Sequence, residues 1–144
     1  MHIREGSFEK CVKLSKIISE FDLPYEMNEY EKRCGGINHL SLIANIGNIL
    51  VGFKIGYDRY KDGSFYSWMG GVIPEFRRNG VAHHLANFQE SWTMKNGYFS
   101  IRLKTRKKHK SMIEFSLNRG FLINKEVPNE NPNETRIIME KQLV

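Results

Sequence analysis

The sequence predicts an α/β protein with one mixed sheet and helices on both of its faces. Two observations lead to this class. In the first half, apolar segments of strand length are joined by the tight turns Gly47-Asn48 and Asp62-Gly63, which is typical of antiparallel hairpins. In the second half, strands alternate with helices, an order that requires a parallel strand pair. A chain of 144 residues fills one core and usually not two, so residues 1–144 are expected to form a single domain.

The first half is predicted to begin with a strand and a helix. Ser7 is a suitable N-cap for a helix from Phe8 to about Phe21, because its side chain can accept a free amide of the first turn. Pro24 ends this helix. Residues 25–36 are charged and aromatic without a clear period, so they form either a short helix or an ordered loop. The strands predicted in this half are 2–5, 38–46, 49–57 and 64–73.

The second half is predicted to contain two helices and three strands. The longer helix ends near Gly97, and its apolar stripe consists of Val81, Leu85, Phe88 and Trp92. The second helix covers about residues 108–119, ends at Gly120, and is expected to turn Met112, Ile113, Phe115 and Leu117 inward. The predicted strands are 98–105, with Phe99, Ile101 and Leu103 on one face, 121–127 and 135–143. Within strand 64–73, the pair Gly70-Gly71 indicates a bulge or a close backbone approach.

The positive charge of the chain is concentrated in one segment. The sequence has 22 basic and 16 acidic residues, a formal net charge of +6. Six of the basic residues lie between Arg102 and Lys110, where no acid occurs, and the rest of the chain is balanced. This distribution differs from the whole-surface basicity of a chromatin protein and indicates one local anionic partner.

Composition also indicates whether the chain is ordered and in which compartment it is expected. A hydrophobic fraction of 40% argues against a disordered chain. No apolar run approaches the roughly 20 residues of a membrane span, and the first residues contain no secretory apolar segment. Cys11 and Cys34 allow at most one disulfide, so we expect a reducing, cytoplasmic location, with Cys11 as a small buried hydrophobic residue.

The junction between strand 64–73 and the longer helix carries the strongest functional signal. A helix N-terminus presents unpaired N–H groups and about half a positive charge, so it attracts phosphate. Gly80 and Ala82 would let a phosphate approach the backbone, and Arg77 and Arg78 would add charge-assisted hydrogen bonds. An ordinary strand-to-helix turn with solvated arginines is the alternative that these residues alone leave open.

This segment resembles the acyl-CoA site of the GNAT superfamily of N-acetyltransferases. The family signature is Arg/Gln-x-x-Gly-x-Gly/Ala after a strand, and residues 77–82 read Arg-Arg-Asn-Gly-Val-Ala. The signatures of P-loop and dinucleotide-binding sites are missing from the sequence. The order of elements over the whole chain fits the family as well. The resemblance implies a mostly antiparallel central sheet with one splayed parallel pair, and transfer of an acetyl group from acetyl-CoA to a primary amine by direct attack.

The resemblance also implies roles for individual residues. Backbone groups near the end of strand 64–73 would bind the pantetheine arm and polarise the thioester carbonyl. The amides that open the following helix, with the two arginine side chains, would hold the pyrophosphate. A residue at the start of the second helix would also contact the cofactor. The implied cofactor-binding set is Gly71, Val72, Ile73, Arg77, Arg78, Asn79, Gly80, Val81, Ala82 and His109.

Two positions depart from the family pattern. Family members often have a tyrosine acid four residues before a Gly-Phe pair, where this chain has Ser116. A serine is a poor general acid, so water or a substrate group would then protonate the leaving thiolate. Strand 64–73 also lacks a carboxylate base. Tyr66 and Tyr57 are the nearest candidates, and for Tyr66 a packing role is the alternative.

A site without a strong base favours an acceptor amine of low pKa. At pH 7, deprotonating a lysine amine costs roughly 4.6 kcal/mol, whereas an α-amine costs only about 1–1.4 kcal/mol. The hypothesis is therefore an α-amine or a small polyfunctional amine. Glu26, Glu29 and Glu31 would attract such a cation, or would form a solvated helix face.

Several alternatives stay open at this stage. The basic segment 102–110 would bind the 3′-phosphate end of coenzyme A, form a solvated face, or bind nucleic acid or an acidic protein. The charges have no accompanying recognition helix or stacking motif, which disfavours nucleic acid. His83 and His84 point about 100° apart on a helix, so no metal site is expected. The alternative functions are a non-catalytic CoA-binding module and a small nucleic-acid-binding domain. A homodimer and an acyl group other than acetyl are both compatible with the sequence.

Overall fold

Seven strands form one mixed sheet in the computed structural model, which describes residues 1–143. They are β1 (His2–Glu5), β2 (His39–Ile46), β3 (Ile49–Tyr57), β4 (Ser64–Val72), β5 (Ser100–Arg106), β6 (Leu122–Val127) and β7 (Arg136–Gln142). The strand order is β1-β2-β3-β4-β5-β7-β6. Every neighbouring pair is antiparallel except β4 with β5. The predicted α/β class with a mostly antiparallel sheet is therefore confirmed.

Two helices cover each face of the sheet. They are α1 (Phe8–Ile17), α2 (Met27–Cys34), α3 (Val81–Lys95) and α4 (Lys110–Asn118). The first two pack on one face around Phe53 and Ile55, and the last two pack on the other. On that second face, Val72 lies in the core under α3, while Ile101 and Leu103 lie in the core under α4. The chain therefore has helical layers on both sides of the parallel strand pair.

The beginning of α1 is as predicted, and its end is not. Ser7 is the N-cap, and its hydroxyl accepts a hydrogen bond from the Lys10 amide at 3.4 Å. The helix stops at Ile17, four residues before the predicted Phe21, because Ile18 adopts an extended backbone with φ −79° and ψ 115°. The extended segment brings Ile18 into the core, where it is 2% exposed.

One inward-facing assignment was wrong, and one residue of a predicted apolar strand face is exposed. In α4, Leu117 is 44% exposed and Ser116 is 2% exposed, so the serine occupies the inward position. The core under α4 is small: its buried members are Ile101 and Leu103 of β5, Ile137 and Met139 of β7, and Phe121. Phe99 is 40% exposed; its amide binds the Gly63 carbonyl, and it precedes the first residue of β5.

Both cysteines are buried and unpaired in the core under α1 and α2. Burial raises the pKa of Cys11 to about 11 and that of Cys34 to about 12, so both are protonated at neutral pH. The prediction that Cys11 is a buried hydrophobic residue is confirmed. In the described part of the chain, no helix is both long and apolar enough to span a membrane.

Candidate active site

The parallel strands β4 and β5 separate halfway along their length. They pair over four positions, from Ser64 with Ser100 to Ser67 with Leu103. Beyond those pairs β4 continues to Val72 and β5 to Arg106, without pairing to each other. The result is a gap in the sheet between the carboxyl ends of two neighbouring strands.

A bulge in β4 lies at the start of the gap. In the pairing with β3, Ile55 lies opposite Met69 and Gly56 lies opposite Ser67, so Trp68 is the extra residue. The predicted bulge at Gly70-Gly71 is therefore misplaced by two residues. The extra residue lets Trp68 and Met69 both pack against the core under α1 and α2, which strict alternation would forbid.

Gly71 instead marks a close approach by side chains of this chain. A Cβ at Gly71 would lie 2.9 Å from Cδ1 of Ile18 and 3.3 Å from Cε2 of Phe21. The segment after α1 therefore lies directly on the β4 backbone. The close-approach alternative for the glycine pair holds at Gly71, and it is explained without a ligand.

Hydrogen bonding decides which β4 groups face the gap. The Ile73 amide donates to the Val51 carbonyl at 2.8 Å, so Ile73 is bonded to β3. Successive strand residues direct their backbone groups to opposite edges, so Val72 and Gly70 face the gap. The Val72 carbonyl accepts a hydrogen bond from Nε of Arg77 at 3.0 Å. The β4 backbone groups that face the gap without a partner in β3 are therefore the Val72 amide and both backbone groups of Gly70.

The N-terminus of α3 is open to a ligand. Its N-cap is Gly80, at φ 81°, and no side chain caps the free amides of the first turn. A Cβ placed on Gly80 would have no atom within 4 Å among the described residues, so the space above it is free. The preceding Arg78 also has a positive φ, of 66°. A helix of 15 residues with uncapped amides and free space at its N-terminus fits the diphosphate of coenzyme A.

The two arginines of the motif lie in different surroundings. Arg77 donates to Val72 and forms an ion pair with Glu20 at 2.8 Å, which joins the end of β4 to the loop between α1 and α2. Arg78 is exposed and forms no ion pair within residues 1–143. Its side chain is therefore the freer of the two to bind a phosphate.

On the side of α1 and α2, the gap opens into a cleft of about 640 Å³. Tyr66 and Trp68 line it from β4, and Tyr25 packs on Trp68 with ring centroids 5.4 Å apart. The acids proposed to attract a cationic amine lie elsewhere: Glu26 pairs with Lys16, Glu29 pairs with Arg33, and neither they nor Glu31 line the cleft.

Tyr66 is the phenol nearest the start of the gap. Its ring packs edge-on against Tyr57 at 5.6 Å, and the Arg59 guanidinium lies 4.9 Å from its centroid. Burial raises the pKa of Tyr66 to about 12, against the lowering effect of Arg59. The phenol is therefore protonated at neutral pH and can donate a hydrogen bond there, but it is a poor base.

The two α4 residues singled out by sequence lie at opposite ends of the helix. His109 is the N-cap, and its pKa is lowered by burial and by the neighbouring Arg106 and Lys108. Ser116 is buried, and its carbonyl accepts the Phe121 amide at 3.0 Å. Phe115, the residue before Ser116, contacts His83, and the two ring centroids are 4.8 Å apart.

Much of the basic segment is neutralised by acids of this chain. Lys108 binds Asp22 at 3.1 Å and Glu134 at 2.8 Å, and Arg106 binds Glu134 at 2.9 Å. We call these four residues the ion-pair cluster. It joins the loop before α2 to the loop before β7, at the end of β5. Arg102 is paired with Asp62 and Glu140. Lys107 and Lys110 are exposed and form no ion pair within residues 1–143.

The histidines near this site do not form a metal centre. Nδ1 of His83 accepts a hydrogen bond from the Arg119 guanidinium at 3.0 Å, and Arg119 is also paired with Glu90. Across residues 1–143, no three His, Cys, Asp or Glu side chains are grouped as metal ligands would be.

The fold matches solved acetyltransferases over nearly its full length. A ribosomal-protein alanine N-acetyltransferase from Escherichia coli aligns with a TM-score of 0.83 at 16% identity, covering 99% of this chain and 93% of that one. An aminoglycoside 6'-N-acetyltransferase from Enterococcus faecium aligns with a TM-score of 0.80 at 20% identity, covering 100% and 98%. An aminoglycoside 6'-N-acetyltransferase complexed with coenzyme A gives 0.81 at 20% identity, again covering 100% and 98%.

The family follows from the sequence itself. The profile of the acetyltransferase (GNAT) family matches residues 9–121. A search of curated proteins gave no significant match. Since the profile covers well over half of the chain, this protein belongs to the GNAT acetyltransferase family, and the resemblance inferred from residues 77–82 is confirmed.

Proposed function

We propose that this acetyltransferase moves an acetyl group from acetyl-CoA to the primary amine of a small molecule or an α-amine. The observation that carries the proposal is the gap between β4 and β5, which has the uncapped start of α3 beside it and a cleft beyond it. Two fold neighbours are named for amine acceptors, an aminoglycoside and a protein alanine. These names support an amine as the acceptor here.

Binding of the cofactor would use backbone groups more than side chains. The first-turn amides of α3, from Gly80 to Ala82, would donate to the pyrophosphate, with Arg78 adding charge. The Val72 amide and Gly70 would bind the pantetheine arm in the gap. Acetyl-CoA supplies an activated acyl group, and an amide donor at its carbonyl stabilises the negative charge that develops there.

Transfer requires no covalent bond to the protein. The lone pair of a neutral amine attacks the thioester carbonyl carbon, a C–N bond forms and the C–S bond breaks. The electron pair leaves with the sulfur. The nitrogen loses one proton and the thiolate gains one. Two of the cleft acids are poor bases, because the pKa of Glu20 is lowered by Arg77 and that of Glu134 by Lys108 and Arg106. Solvent then accepts the proton, which favours an amine of low pKa.

A non-catalytic CoA-binding module is the second candidate. It is favoured by the buried Ser116 at the position where family members often have a tyrosine acid. The two candidates share cofactor binding and differ in turnover. A nucleic-acid-binding domain is disfavoured because Arg102, Arg106 and Lys108 are already paired within the chain.

Two measurements test these functions in sequence. Calorimetry with acetyl-CoA should give binding at micromolar concentration, and its absence would exclude both the enzyme and the module. A thiol-release assay over a panel of amines should then give turnover. Binding without release for any amine would favour the module. Acetylation of lysine ε-amines alone would contradict the preference for a low-pKa amine.

A further inference from the structure

Five cationic side chains line the cleft beside the gap, and three of them form no ion pair within residues 1–143: Arg59, Lys104 and Arg136. Arg59 lies in the turn between β3 and β4, with its guanidinium over the ring of Tyr66. Lys104 follows Leu103, the last β5 residue that pairs with β4. Arg136 lies at the start of β7, opposite Arg106 of β5. All three therefore belong to the cleft into which the gap opens.

The carboxylates near these three side chains are already paired with other cations. The carboxylates that line the same cleft are Glu20, Asp22 and Glu134. Glu20 is paired with Arg77, and the other two belong to the ion-pair cluster. Throughout residues 1–143, no carboxylate forms a salt bridge with Arg59, Lys104 or Arg136.

The cations also lie close enough to repel one another. The pKa of Lys104 is lowered by burial and then by the positive charges of Arg59, Arg136 and Arg33. Arg33 itself is held by Glu29 and stacks on Trp68, with its guanidinium 4.6 Å from the ring centroid. Lys104 is half-buried, and Arg59 and Arg136 are exposed. Like charges that converge on one cleft are unfavourable in the free protein and become favourable around a bound anion.

We propose that the acetyl acceptor is an amine that carries an anionic group, a carboxylate or a phosphate, and that Arg59, Lys104 and Arg136 bind this group. The proposal rests on the acetyltransfer described above and names its substrate class. Two guanidinium groups and one ammonium match the oxygens of either anion. A polycationic acceptor of the aminoglycoside kind would be repelled by the same side chains.

Matched acceptor pairs test the proposal with acetyl-CoA and a thiol-release assay. The pairs are glycine with glycinamide, β-alanine with β-alaninamide, and O-phosphoethanolamine with ethanolamine, and putrescine represents a polycation. We expect kcat/KM to be at least tenfold higher for the anionic member of at least one pair. The amino acid pairs report a carboxylate and the ethanolamine pair a phosphate. Equal or better turnover of the neutral members, or of putrescine, would overturn the proposal.

Variants identify the side chains responsible. Lys104→Gln and Arg136→Gln should each lower the anionic preference at least fivefold while leaving the calorimetric affinity for acetyl-CoA within twofold. Lys125→Gln, on the exposed strand β6, is the matched control and should keep the preference. A preference that persists in both cleft variants would contradict the assignment.

A binding measurement covers the case in which no panel member is acetylated. With coenzyme A at saturation, inorganic phosphate and citrate should raise the melting temperature of the wild type, and the rise should be lost in the Lys104→Gln/Arg136→Gln double variant. No rise in the wild type would overturn the anionic acceptor. Loss of acetyl-CoA binding itself would instead overturn the proposed acetyltransfer, so the two failures are distinguishable.

Discussion

Arg77 and Glu20 lie 57 residues apart in sequence and form an ion pair of 2.8 Å. The same guanidinium donates to the Val72 carbonyl at 3.0 Å. Arg77 thereby joins the α1–α2 loop to the end of β4, immediately before the start of α3. A residue that the family motif assigns to phosphate binding is therefore also a structural link to the acceptor side.

Arg77 and Arg78 should respond differently to substitution. We expect Arg78→Ala to weaken acetyl-CoA binding about tenfold, the value of one lost charge-assisted contact, without changing stability. Arg77→Ala and Glu20→Gln should each lower the free energy of unfolding by less than about 1 kcal/mol, since the pair is half-exposed. Both should raise the KM for the acceptor, because both free the same loop. If Arg77→Ala abolishes cofactor binding and Glu20→Gln changes nothing, Arg77 is a phosphate ligand instead.

Gly80 offers a test that separates folding from binding. Its φ of 81° and its free surroundings mean that Gly80→Ala costs only backbone strain, about 1–2 kcal/mol. A methyl group there would still block a phosphate on the helix amides, so acetyl-CoA affinity should fall at least tenfold in calorimetry. Gly47, at φ 59° with equally free space, is the matched control. Gly47→Ala should show a similar stability loss with unchanged affinity; equal affinities in both variants would mean that no phosphate lies at Gly80.

Lys54 gives a stability prediction with a defined pH range. It is half-buried, and burial, with a further contribution from Arg119, lowers its pKa from 10.5 to about 8. The folded state therefore holds this proton less tightly than the unfolded state. The charged lysine lowers the free energy of unfolding, and this penalty is largest below pH 8. It falls as the pH rises from about 8 to 10.5, since the unfolded state then binds more protons. The loss of unfolding free energy caused by Lys54 is at most about 3 kcal/mol.

Lys54→Met should accordingly raise the free energy of unfolding by about 1–3 kcal/mol at pH 7, measured by urea denaturation. The difference from the wild type should shrink steadily towards pH 10.5. Lys13→Met, at an exposed position of α1, should show no such pH dependence. A variant less stable than the wild type at pH 7 would mean that the charged amine is stabilised in the fold.

Substitutions at Ser116 and Tyr66 test which group protonates the leaving thiolate. Ser116 is buried away from solvent, so Ser116→Ala should keep kcat within about twofold. Tyr66→Phe removes a phenol that lines the cleft and should lower kcat by about 10-fold to 100-fold. Because the pKa of Tyr66 is about 12, the rate profiles of both proteins between pH 6 and 9 should have the same shape. An inflection that disappears in Tyr66→Phe would show that the tyrosine ionises during turnover.

Lys107 and Lys110 are the exposed cations of the basic segment that form no ion pair within residues 1–143. Acetyl-CoA affinity should fall as salt rises, and the dependence should be shallower in the Lys107→Gln/Lys110→Gln variant, since fewer screened contacts remain. A Lys13→Gln/Lys95→Gln variant, which removes two other exposed lysines, should keep the wild-type salt dependence. Identical dependences in all three proteins would exclude this segment from the cofactor site.

The parts of the fold that sequence could predict are those with local causes. The Ser7 cap, the turn at Gly47-Asn48 and the apolar stripe of α3 each depend on neighbours within a few residues. The start of α1, the β2–β3 hairpin and α3 lie where predicted. The loop before α3 could be predicted as a binding site because the short motif of residues 77–82 is characteristic of the family.

The parts that sequence could not predict depend on distant partners. The bulge at Trp68 exists because aromatic residues of α2 and β3 surround that ring, as its contacts with Tyr30 and Tyr57 show. Lys108 reaches Asp22 across 86 residues, so a segment without acids of its own has three of its six basic residues, Arg102, Arg106 and Lys108, paired in the fold. The lining cations Arg59 and Arg136 carry no local signal at all, since a solvated arginine has the same sequence pattern.

The short ladder between β4 and β5 has a consequence for the way the molecule opens. Only the four pairs from Ser64 with Ser100 to Ser67 with Leu103 join the β1–β4 part of the sheet to the β5–β7 part. Each part has its own hydrophobic core, with the smaller one under α4. We therefore expect two unequal cooperative units, in which the smaller opens when its ion pairs to Glu90 of α3 and to Asp22 also break. A cofactor bound in the gap would contact both units, and its binding energy would then join their unfolding into a single event.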